Sequence, residues 1–114
     1  MAKIKHIKAI TLKNSGAFVV RMRINWNDPE SDNSSGVYEP SGYHDICAAG
    51  ERTINLSETG IPEGANVRLH ADVVLGKDKE GGEQFRYTSD ASMIAHYTIS
   101  GTTLINDLKL DDVK

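Results

Sequence analysis

Apolar and polar residues alternate along most of this chain with a period of two, the pattern of strands that bury one face. In the run GAFVVRMRINW, Phe18, Val20, Met22, Ile24 and Trp26 fall on one side, and Arg21, Arg23 and Asn25 on the other. A helix would scatter those five apolar side chains around its axis, so the run predicts a strand. NVRLHADVVLG reads the same way: Val67, Leu69, Ala71, Val73 and Leu75 are expected to face inward, with Arg68, His70 and Asp72 outward. Met93, Ala95, Tyr97 and Ile99 make a third series. Leu104, Leu108 and Leu110 make a fourth, broken by Asn106. Weaker strand candidates occupy 4–12, 37–47, 51–57 and 84–88.

Turn residues separate these runs. They are Asn14-Ser15-Gly16, the ten-residue stretch NDPESDNSSG at 27–36, Pro62-Glu63-Gly64, GKDKEGG at 76–82, Ser89-Asp90 and Ser100-Gly101. No segment of helical period is long enough for a substantial helix, and no repeat or linker divides the chain. The pattern therefore predicts an all-β fold: a single-domain antiparallel β-sandwich of about eight strands spanning 1–114. A length of 114 residues is that of one domain.

Composition narrows the partners. A net charge of −3 argues against nucleic acid, whose binding needs a basic surface. Lys3, Lys5 and Lys8 make only the first strand basic. Cys47 is the single cysteine, so no intrachain disulfide and no cysteine-based metal cluster is possible. There is no run of 18 apolar residues for a transmembrane helix, nor the apolar core of a signal peptide. The expected location is cytoplasmic, or exported without a classical signal peptide.

Candidate chemistry is sparse. Asp28, Glu30 and Asp32 alternate in the 27–36 loop and are candidate calcium ligands. Measured against an EF-hand, the twelfth residue, Glu39, fits, but the sixth is Asn33 where a Gly is required. A polar strand connection is the competing reading, so no resident cofactor is expected beyond that calcium candidate. In YHDIC, strand geometry would place Asp45 and Cys47 on one side and His44 on the other, which opposes a nucleophile and base. The histidines show no HxH or HxxxH spacing, and no phosphate loop or GxSxG occurs. The protein is therefore expected not to be an enzyme. YEPSGYHD remains as the candidate ligand-binding stretch, with Tyr38, Tyr43, His44 and Asp45, because tyrosine offers a flat apolar face with a polar tip.

The segments ITLKNSGAFVVRMRINW (10–26), AGERTINLSETGIPEGANVRL (49–69) and YTISGTTLINDLKL (97–110) resemble those of small cysteine-poor β-sandwich proteins of bacteria and fungi, aegerolysins among them. That resemblance implies a β-sandwich and, in the aegerolysins, recognition of membrane lipid. Asn27-Asp28 stands where the aegerolysin pattern has Trp-Gly-Lys, and no functional residue is carried over.

Two functions follow as expectations. The first is a non-enzymatic, toxin-like binding module that recognises a lipid, glycan or protein surface through loops at one end, the long loops 27–43 and 76–83 being the candidates. The second is a structural protein that forms homo-oligomers through sheet edges. TTLIND and ASMIAHY carry little charge there, and the lysines guard the first strand.

Overall fold

The computed structural model describes residues 4–30 and 34–114. Its strands are β1 (His6–Ile7), β2 (Ala9–Asn14), β3 (Val20–Asp28), β4 (Ser34–Tyr38), β5 (Glu51–Asn55), β6 (Asn66–Val73), β7 (Lys79–Glu80), β8 (Phe85–Tyr87), β9 (Ile94–Gly101) and β10 (Asn106–Val113). A single 3₁₀ turn, Leu56–Glu58, follows β5. One sheet runs β1-β8-β6-β3-β4, with β7 added against β6, and the other runs β10-β9-β2-β5.

The all-β sandwich expected from the alternation is what forms. Val20, Met22 and Ile24 of β3, and Val67, Leu69, Ala71 and Val73 of β6, are buried on one sheet. Ile10 and Leu12 of β2, with Ala95, Tyr97 and Ile99 of β9, meet them from the other. Trp26, expected inside, is half-buried at the margin of that core. Its indole lies against Gly36, its cross-strand neighbour on β4, where a Cβ would come within 3.0 Å of the ring.

The strand directions differ from the antiparallel plan. β1 pairs with β8, and β2 with β9, in parallel, so both sheets are mixed. The candidate strand at 4–12 is in fact two strands. β1 belongs to the first sheet and β2 to the second, and the chain changes sheets at Lys8. The Lys8 amide donates to the Met93 carbonyl and its carbonyl accepts from Leu56, so the crossing leaves neither backbone group unpaired. The candidate at 37–47 is also divided: β4 ends at Tyr38, and Ile46 returns as an isolated bridge to Val20. β9, which contains most of ASMIAHY, is paired on both sides and offers no free edge. β10 is the edge there, and it carries Asp107, Lys109, Asp111 and Asp112.

Three expected core residues lie outside. Leu75, Met93 and Leu104 are exposed, and each sits beyond the end of a strand rather than in it. Asn106, which broke the sequence pattern, holds the buried position that opens β10. Leu108 and Leu110 follow it against the core.

Candidate functional site

The described ends of the 27–36 stretch are paired strands. β3 runs on to Asp28, and β4 begins at Ser34 with Asp28 and Ser34 opposite each other. Asp28 is buried, and its Oδ1 accepts the Glu30 amide at 3.0 Å, a turn-capping bond typical of Asp. Glu30 is exposed, and Asp32 lies outside the described residues. Among the described residues, no three His, Cys, Asp or Glu side chains converge as metal ligands. Asp78, an acid of the 76–82 turn, is remote from Asp28. It bonds the Val73 amide, which lies opposite Val20, eight residues along β3 from Asp28, or about 27 Å at the ~3.4 Å rise of a strand.

YEPSGYHD does not form one site. Tyr38 is half-buried against the core and lines a small depression with Pro40, Arg52 and Glu58. Tyr43 is exposed, its hydroxyl 4.0 Å from the Cys47 sulfur. His44 lies between two acceptors, the Gly42 carbonyl (2.6 Å) and Glu39 (3.0 Å). Asp45 pairs with Arg21 at 2.5 Å. The two tyrosines therefore serve different surroundings, while His44 and Asp45 tie the loop down onto the charged outer face of β3.

That outer face is an ion-pair network. Arg23 lies between Asp72 (3.0 Å) and Glu39 (3.2 Å), and His70 meets Asp78 at 3.1 Å. The His44 hydrogen bond and the nearby Arg23 charge hold Glu39 below its usual range against the effect of burial. Burial pushes Asp72 up despite Arg23. Burial acts on Asp78 as well, but hydrogen bonds from His70 and the Val73 amide outweigh it and leave this carboxyl lowered. With every acid here matched to a cation or an amide, the network reads as a tie between strands and a loop, with no free base poised over a cleft.

The features missed by sequence reasoning lie at the end of the sandwich where β6 and β9 finish. Leu75, Leu104 and Ile105 are 94%, 62% and 81% exposed. They stand on two loops bonded to each other: the Lys77 amide donates to the Thr103 carbonyl (2.9 Å), and Asn106 Nδ2 donates to the carbonyls of Lys77 (3.0 Å) and Thr103 (3.2 Å). Leu75 holds a left-handed backbone, φ +60°, which turns it out of the strand alternation. Leu75 and Leu104 had the right parity for the core, so alternation alone did not mark where each strand stops. The only available signal was turn chemistry, Gly76 after one leucine and Ser100-Gly101 before the other.

No protein-family model matches this sequence, and no curated protein sequence matches it. Solved structures do share its fold. Listeriolysin O superposes with a TM-score of 0.52 at 20% identity, over 91% of this chain and 22% of that one. Cytotoxin suilysin from Streptococcus suis gives 0.49 at 18%, over 94% of this chain and 23% of its own. The membrane-binding domain of pneumolysin gives 0.46 at 18%, over 93% of this chain and 94% of its own. The chain thus spans about a fifth of the length of listeriolysin O. At such identity the likeness is one of fold, a β-sandwich that a part of listeriolysin O shares.

Proposed function

We propose that the chain is a non-enzymatic binding module that attaches to a lipid surface by its apolar tip. The observation that carries this reading is the cluster of Leu75, Leu104 and Ile105, three large aliphatic side chains in water on two mutually bonded loops. Single exposed apolar residues are ordinary, but a group of them at one end of a domain calls for a partner. Transfer of each such side chain out of water is worth roughly 1.5–3 kcal/mol. Three of them supply about 5–9 kcal/mol before the costs of association, enough for a reversible attachment. Lys77 is exposed next to the tip, while the protein as a whole carries −3, so attraction to anionic headgroups is not the main force.

The tip shares only Lys77 and its neighbours with the loops expected from sequence. Asp28 and Ser34, which face each other at the close of β3 and the start of β4, lie at the opposite end. The likeness to listeriolysin O bears on the fold alone, and the tip carries the function.

Flotation with neutral phosphatidylcholine vesicles tests the reading. The wild-type protein is expected to float, and Leu104→Asp/Ile105→Asp to stay at the bottom with an unchanged thermal midpoint. Val37→Asp, an equally exposed aliphatic on β4, is expected to float like the wild type. A wild-type protein that ignores both neutral and anionic vesicles, or a double variant that floats normally, would overturn it.

A further inference from the structure

The outer face of the larger sheet carries a second feature, at the end away from the tip. Two cross-strand rungs, Asn25 opposite Arg68 and Asn27 opposite Asn66, form the floor of a depression of about 170 Å³. Glu80 of β7 and Gln84, just before β8, wall it. Its volume equals that of about five or six water molecules at ~30 Å³ each.

The hydrogen bonds made inside it are few. Asn25 Nδ2 donates to Glu80, and Asn66 Oδ1 accepts from Arg86 Nη2 at 3.3 Å. The side chains of Asn27 and Gln84 make no hydrogen bond among the described residues. Arg68 forms no ion pair there, and its buried Nε has no partner. Elsewhere on the same face the charged side chains have opposite partners: Arg21 pairs with Asp45, Arg23 with Asp72 and His70 with Asp78. A buried donor without a partner is uncommon in folded proteins, and this one stands beside two half-exposed amides that no protein group engages among the described residues.

We infer that this depression binds a neutral, hydroxyl-rich ligand of the size of one sugar ring. Charge decides the class. Of the polar side chains that line it, Arg68 and Glu80 are opposite in charge and four are neutral amides, so a phosphate or a metal ion is not favoured. Amides present donors and acceptors side by side, and so does each hydroxyl of a sugar, which both gives and receives a hydrogen bond. Arg68 supplies donors and Glu80 an acceptor. The inference is independent of the lipid reading, because the residues and the end of the molecule differ.

A nitrogen–proton correlation titration tests it, read at the side-chain amides and at the Arg68 Nε–H. The probes are the methyl glycosides of glucose, galactose, mannose and N-acetylglucosamine, taken to tens of millimolar. At least one is expected to give saturable shifts at Asn27, Asn66, Gln84 and Arg68. Binding should weaken about tenfold in either Asn27→Ala or Gln84→Leu, each of which removes hydrogen bonds worth about 1.4 kcal/mol at the probe. Neither side chain supports another group, so the fold should survive in both, and unchanged backbone spectra would show it. Silence from all the glycosides would overturn the inference, as would shifts that both variants leave intact. Inorganic phosphate producing the same shifts more strongly than any sugar would also overturn it.

Discussion

Asn14 shows how much one side chain can hold. It is fully buried at the end of β2. Its Nδ2 donates to the carbonyls of Phe18 (2.6 Å) and Ile46 (3.0 Å), while Oδ1 accepts the Gly16 amide (2.9 Å). In the sequence it was legible only as a turn residue, since what it bonds depends on Ile46 arriving from far along the chain. Asn14→Ala would remove partners from the Phe18 carbonyl and the Gly16 amide and one of the two donors to the Ile46 carbonyl, which keeps the Val20 amide; it is expected to cost roughly 2–3 kcal/mol, read as a fall in the urea midpoint at constant slope. Asn14→Asp keeps the Gly16 bond but turns acceptors toward two carbonyls, so it should do no better. Tyr97 makes a different case. Its alternation placed it correctly in the core, yet nothing local showed that its hydroxyl would find no partner. Burial pushes the phenol up to about 12, from about 10 in the unfolded chain, with Glu83 adding to the rise. The native state then holds a proton that the unfolded state releases, so stability should be intact below pH 10 and fall between about pH 10 and 12. The loss is at most roughly 2–3 kcal/mol. Tyr97→Phe should remove that alkaline slope in pH-dependent denaturation while leaving neutral stability unchanged or slightly higher.

Among the elements, the strands most legible in the sequence were those with one wet face. β3, β6 and β9 announce themselves by alternation because their outer faces meet water and charge. The 4–12 segment did not announce its break. A residue that crosses between sheets looks locally like any other strand residue, and only the distant Met93 and Leu56 fix Lys8 where it is. Parallel pairing was equally hidden, since no tight turn joins parallel neighbours. The tip belongs to this scale as well, because the β9–β10 connection sets its shape. Gly101 has φ +103°, and a Cβ there would drive into the Ile105 carbonyl and the Asn106 backbone. Gly101→Ala is therefore expected to lower stability by about 1–3 kcal/mol. It should also weaken vesicle flotation more than that loss explains, because Leu104 and Ile105 are displaced. Measuring both in the same preparation separates a misplaced tip from a merely less stable domain.

For the whole molecule, function was the least legible level. The aliphatic tip and the amide-lined depression are each assembled from segments far apart in sequence, and single runs such as YEPSGYHD, conspicuous by composition, are spent on local ties. With the two features at opposite ends, they should respond separately: Leu104→Asp/Ile105→Asp should abolish flotation and leave glycoside titrations unchanged, and Asn27→Ala the reverse. The parallel pairing of β2 with β9 has a further consequence for how the chain is made. β2 takes β5 on one side soon after emerging, but its other side stays open until Ile94–Gly101 has been synthesised. Contacts that span so much chain slow folding, and translation at about 5–20 residues per second prolongs the wait. Through that interval Ile10 and Leu12 stand on a half-built sheet with an open edge, so a nascent chain stalled before β9 is expected to expose them, and the smaller sheet is completed only after every strand of the larger one has been translated.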